Sequence, residues 1–255
     1  MFYKASKDTV RASVVLRPVE SKRLIAAAIR EMAEVRAAMK NGYVVIIGGT
    51  TNAHVASLLL GRKVDDFWFA AGRITGGELG ANPLEKRIKP IVIKDGREVD
   101  MHPNDAIKEF KATDVYIKGA NAVDMEGSAG VLMSSDTGGT IGAAIGILKA
   151  RGANLIVPVG LEKLVPSVAD ASLMWGQGTI KYSTGDKAGM MPLTGAKIVT
   201  EIEALAILFP NVGLKAVHAA SGGVGGSEGA VMIVIEGSDI AVKKAFDFVV
   251  GFKNE

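Results

Sequence analysis

Leu24, Ile25, Ile29, Met32 and Val35 recur at helical spacing between Pro18 and Met39, with Lys22, Arg23, Arg30 and Arg36 off that face. The period predicts one amphipathic helix, opened by Pro18 and stopped by Asn41-Gly42. Tyr43 to Ile47 is an unbroken apolar run rich in β-branched residues, as a strand buried on both faces requires. Gly48-Gly49-Thr50-Thr51-Asn52 follows, and Ala53 to Leu60 then predicts a short apolar helix ended by Gly61. Strand, glycine turn and helix make a first βα unit.

From residue 62 to 112 the pattern is less regular. Phe67 to Ala70 predicts a short strand, Ile74 to Gly80 a loop, and Ile91 to Met101 a hairpin turning at Asp95-Gly96. Asn104 to Phe110 reads as a short helix. Further strands are expected at Asp114 to Lys118, Ala129 to Met133 and Leu155 to Val159, and helices at Thr140 to Ala150 and Pro166 to Met174. Gly176 to Leu193 reads as loop-rich. A helix over Lys197 to Phe209, strands at Lys215 to Ala220 and Val231 to Ile235, and a helix at Ser238 to Phe252 capped by Ser238 complete the chain. The alternation predicts an α/β fold: a mostly parallel, doubly wound sheet with helices on both faces over residues 1–194, and a small C-terminal α+β lobe over 195–255.

Composition narrows the function classes. The 255 residues are 48% hydrophobic but only 5% aromatic, so the core is built of Ala, Val, Ile and Leu. Thirty basic against 27 acidic side chains leave a charge of +3, with no basic stripe, which speaks against nucleic acid as a partner. The absence of cysteine removes thiolate chemistry and disulfides together. Met1 to Val10 has no apolar core of a signal peptide, and no run approaches the ~18 apolar residues that cross a bilayer. A cytoplasmic protein is expected, without membrane association. His54, His102 and His218 form no metal-ligand spacing, so no metal is expected.

The candidate chemistry lies past strand ends, where open α/β sheets bind ligands. Gly48, Gly49, Thr50, Thr51 and Asn52 offer backbone N–H groups and hydroxyls to a phosphate or carboxylate, although a threonine-capped turn has the same composition. Lys118 to Gly127 contains Gly119, Asn121, Asp124 and Glu126; a carboxylate there can act as base or nucleophile, or simply shape a turn. Lys163, after another strand, can neutralise a ligand anion or pair with Glu162. Thr137, Gly138, Gly139 and Thr140 form a second candidate anion cradle or a helix cap. Gly222 to Gly229 reads as a lid or a sharp connection between strands.

The Gly48-Gly49-Thr50-Thr51 loop and the Gly119-Ala120-Asn121-Ala122-Val123-Asp124 segment resemble ribose-5-phosphate isomerases, and Gly119 to Asp170, with Val159 to Pro166, is similar to lactate-utilisation (LUD) domains. These families share one superfamily with CoA transferases. The resemblance implies a homo-oligomer, a small anionic metabolite as substrate, and CoA as a possible cofactor. Asn121 stands where the isomerases carry a catalytic Asp, and an amide is no general base. The expected function is an enzyme of isomerase or CoA-transferase type acting on a phosphorylated or carboxylated metabolite, with Asp124, Glu126 and Lys163 as its reacting groups. The alternatives are a non-catalytic metabolite sensor on the same fold and a structural subunit recruited through the C-terminal lobe.

Overall fold

The computed structural model describes residues 8–253, so most of the N-terminal stretch read above for a signal core lies outside it. The chain runs β1 (Val10–Leu16), α1 (Pro18–Glu31), α2 (Ala33–Lys40), β2 (Tyr43–Ile46), α3 (Thr50–Leu60), α4 (Asp66–Phe69), β3 (Gly72–Thr75), β4 (Glu78–Ala81), β5 (Ile91–Lys94), β6 (Arg97–Val99), α5 (Pro103–Glu109) and β7 (Val115–Ile117). It continues through β8 (Ala122–Val123), β9 (Ala129–Met133), α6 (Gly139–Arg151), β10 (Asn154–Pro158), α7 (Val168–Met174), β11 (Gly189–Leu193), β12 (Lys197–Val199), α8 (Glu201–Leu208), β13 (Lys215–Gly222), β14 (Ala230–Gly237) and α9 (Asp239–Gly251).

The main sheet has the order β12-β10-β7-β2-β5-β6. Strands β12, β10, β7 and β2 are parallel, and the β5–β6 hairpin is antiparallel at one edge. The fold is therefore α/β with a mixed sheet. Alternate residues divide its two faces. Val44, Ile46, Ile93, Val115, Ile117 and Ile156 pack with Leu24, Ile25, Val55 and Leu205 of α1, α3 and α8. Tyr43, Val45, Val92, Tyr116, Leu155 and Val157 pack with Ile107, Ile141 and Leu148 of α5 and α6. Because both faces are covered, the strands read as unbroken apolar runs rather than alternating ones.

An antiparallel sheet, β1-β14-β13, buries Val231, Ile233 and Ile235 in the same core as α1. Strand β12 lies within the stretch expected to form the C-terminal lobe, yet it hydrogen-bonds β10 in the main sheet. A third sheet, β11-β9-β8, and the β3–β4 hairpin complete the described strands.

Four local expectations are corrected. The first helix is two, because Met32 takes an extended backbone (ψ 135°). The two segments then pack differently, α1 on α3 and α8, α2 on β2 and β7. Phe67 to Phe69 is helical rather than extended, since Asp65 caps it by accepting from the Trp68 N–H at 2.9 Å. Ile74 to Gly80 is no loop: Gly76 and Gly77, both at positive φ, turn the β3–β4 hairpin. Lys197 to Val199 is strand, and the helix starts only after Thr200, whose hydroxyl accepts from the Ile202 N–H. Among the described residues no helix is long and apolar enough to cross a membrane.

Candidate functional site

Parallel strands end at one edge of the sheet, so the segments after β2, β7 and β10 converge there. A cleft of about 1830 Å³ opens at that edge. It is lined by Gly48, Gly49, Thr50 and Thr51 after β2, Lys118, Gly119 and Asn121 after β7, Glu162 and Lys163 after β10, and Gly138, Gly139 and Thr140 at the start of α6.

Two helix N-termini thus meet the cleft. Helix α3 begins at Thr50 with Gly49 as N-cap, and α6 begins at Gly139 with Gly138 as N-cap; neither has a side-chain cap. First-turn N–H groups carry partial positive charge and are left for solvent or ligand. Gly48 is required by packing: a Cβ there would stand 2.3 Å from the Phe69 carbonyl oxygen.

Asn52 lies beneath the turn, fully buried. Its Nδ2 donates to the Ile47 carbonyl at 2.6 Å and to the Ile117 carbonyl at 3.4 Å. It ties the ends of β2 and β7 together and is not part of the cleft lining, which replaces its expected ligand contact with a structural one.

The two lysines occupy the inner end. Lys163 Nζ donates to the Ala120 carbonyl at 3.1 Å, and Lys118 Nζ approaches the Gly119 carbonyl at 3.4 Å. The ammonium groups therefore sit over consecutive carbonyls of one loop. Among the described residues neither makes an ion pair with a carboxylate. Burial, and then the charge of Lys163, hold Lys118 down at about 8. Burial also lowers Lys163, while the neighbouring Glu162 and Glu201 carboxylates act against that. Glu201, buried behind Gly160, accepts from the Leu161 N–H at 2.9 Å and is pushed upward by its own burial. It holds the loop that carries Lys163.

The expected carboxylates are placed otherwise. Asp124 is buried, and its oxygens accept from the N–H groups of Glu126 (3.1 Å), Ser128 (2.9 Å) and Val168 (2.9 Å). It shapes its own turn and anchors the start of α7. Neither Asp124 nor Glu126 lines the cleft, and Glu126 is exposed. Asn121 does line it, with Oδ1 accepting from the Leu132 N–H at 3.1 Å. Thr137 stands just outside, its hydroxyl 3.1 Å from that of Ser135. Lys118 is the group that reasoning from turn chemistry passed over in favour of carboxylates; its position directly after a β-branched run was the available clue.

The outer wall carries Arg73, Arg87 and Lys89 together with Glu85, Glu98, Asp100 and Asp186. Charges of both signs share this rim, whereas the inner end carries the two lysines beside Glu162. On this outer wall Arg73 Nε is buried with no hydrogen-bond partner among the described residues.

The chain matches no protein-family model, and comparison with curated proteins and with solved structures finds no significant similarity.

Proposed function

We propose that the protein binds a phosphorylated or carboxylated small metabolite in this cleft and acts on it by proton transfer. The anion lies at the N-termini of α3 and α6, facing Lys118 and Lys163. One observation carries the reading: two lysines, neither in an ion pair with a carboxylate among the described residues, stand in a cleft walled by two uncapped helix ends. Two part-buried ammonium groups held only on backbone carbonyls are more favourable with a counter-ion between them. An amine held down at about 8, as Lys118 is, can take and return a proton within reach of neutral pH.

This keeps the substrate class that the resemblance to the ribose-5-phosphate isomerase and CoA-transferase-like superfamily implies, and with it the doubly wound layout, a cytoplasmic location and a homo-oligomer as parts of the proposal. It moves the reacting groups from Asp124 and Glu126 to the lysines. Acyl transfer through Glu126 does not fit, because that side chain stands outside the cleft. No step is therefore routed through CoA.

The test is a thermal-shift titration with inorganic phosphate, sugar phosphates and small carboxylates. A ligand at ~100 times its dissociation constant adds about 2.7 kcal/mol of stability. Lys118→Met and Lys163→Met are each expected to weaken that ligand by tenfold or more, at about 1.4 kcal/mol per tenfold. Full stabilisation of both variants would sink the assignment of the anion to this end.

The non-catalytic sensor has one observation in its favour. Asp124 spends its acceptors on three backbone N–H groups, and the Asn121 carbonyl is engaged by Leu132. A ligand that stabilises the protein but is returned unchanged after prolonged incubation selects that reading.

A further inference from the structure

Lys118 and Lys163 explain an anion, but an amine at this position has a second chemistry. Resting on the anion-site reading above, we infer that Lys118 is a covalent amine catalyst, forming an imine with a ligand that carries a ketone or aldehyde beside its phosphate or carboxylate.

Three features carry this. Among the described residues, Lys118 Nζ meets only the Gly119 carbonyl, at 3.4 Å, whereas Lys163 is anchored at 3.1 Å on the next carbonyl. Both line the cleft, and the first is the more loosely held. Two ammonium groups side by side in a poorly solvated place disfavour double protonation, so Lys118 is readily the neutral partner, consistent with its pKa of about 8. Finally, the uncapped starts of α3 and α6 line the same cleft, which brings an anion, and the carbon bonded to it, to the amine.

The step balances with what is present. The neutral amine of Lys118 attacks the carbonyl carbon, the C–N bond forms, and the carbonyl π pair moves to oxygen. The Lys163 ammonium protonates that oxygen, and nitrogen returns a proton to Lys163. The Lys163 ammonium then donates a proton to the hydroxyl, which leaves as one water while the nitrogen lone pair closes the C=N bond, protonated at nitrogen. No oxidant or reductant takes part. The protonated imine withdraws electrons from the adjacent carbon, which makes the C–H there easier to ionise and so supplies the proton transfer proposed above.

The full chain is incubated with pyruvate or with dihydroxyacetone phosphate, quenched with sodium borohydride, and read by intact mass and peptide mapping. One adduct per chain on Lys118 is expected, suppressed by inorganic phosphate. At about pH 7.5 it should form on the order of a hundredfold faster than on exposed lysines, from the larger free-amine fraction. Lys118→Arg keeps the charge and cannot form the imine; it should lose the adduct yet still be stabilised by phosphate. Lys163→Arg should keep the adduct on Lys118 but change the pH dependence of its formation. Phosphate stabilisation without a Lys118 adduct, or adducts spread over surface lysines, overturns the inference while leaving the anion site standing. Neither stabilisation nor adduct overturns both.

Discussion

Lys118 is the residue on which function and stability meet. Its folded pKa is lowered to about 8 from 10.5, so the folded state carries a penalty wherever the group is charged. That penalty is fully present below pH 8, shrinks as pH rises through the window between the two values, and is gone above the unfolded one. Lys118→Met is therefore expected to stabilise the protein near neutral pH, by at most about 3.4 kcal/mol for a difference of about 2.5 between the two pKa values at about 1.36 kcal/mol per pKa unit. The gain should vanish above about pH 10.5, which urea midpoints measured across that range will show. A pH-independent change would mean that packing, and not charge, governs the site.

Asp124 makes the opposite case. Its carboxylate satisfies three backbone donors, one of them 44 residues away at Val168. Asp124→Ala leaves those donors unmet and should cost about 3 kcal/mol in chemical denaturation. Glu126→Gln should change neither stability nor ligand binding, since the side chain is exposed and outside the cleft. Reduced ligand affinity in a well-folded Glu126→Gln would return that carboxylate to the site.

Among the elements, α3 and α6 matter for where they begin. Gly142 sits in the second turn of α6, where a Cβ would stand 2.6 Å from the Thr137 carbonyl oxygen. Helix propensity alone favours alanine over glycine by about 1 kcal/mol. The close approach reverses that: Gly142→Ala is expected to destabilise the protein and to weaken phosphate binding by shifting the Thr137 to Thr140 loop. Gly48→Ala should do the same at α3 through the Phe69 carbonyl. Calorimetry of phosphate binding separates the two effects, and unaltered affinity in both variants would remove the helix starts from the site.

The βα unit from Tyr43 to Leu60 was legible because its apolar period, its glycine turn and its Gly61 stop are all local. The Asp95-Gly96 hairpin was legible for the same reason, with both residues at positive φ. The break at Met32 was not, since nothing beside it in the sequence interrupts a helix. The strand at Lys197 to Val199 escaped because parallel pairing with β10, and not its own three residues, makes it one.

For the whole molecule, the antiparallel sheet and the main sheet share one apolar core: Val231, Ile233 and Ile235 pack with the α1 residues that also cover Val44 and Ile46. Leu16 on β1, fully buried, belongs to it. Unfolding is expected in a single transition by circular dichroism and by tryptophan fluorescence alike, and Leu16→Ala should lower that transition by about 2–5 kcal/mol. Two separated transitions would establish the C-terminal region as an independent folding unit.

The sequence by itself determined the class of fold and several of the turns that line the cleft, because buried strands, amphipathic helices and glycine turns are written in neighbouring residues. It also placed Gly48 to Thr51 and Gly138 to Thr140 at helix starts. Only the tertiary structure decided which ionisable groups face the cleft. Asp124, Glu126 and Lys118 lie within nine positions of one another, and a loop of that length can present any of them. Lys118 lines the cleft together with a lysine 45 positions away, while the Val168 N–H draws Asp124 into the protein. Those are contacts between distant segments, and no local period encodes them.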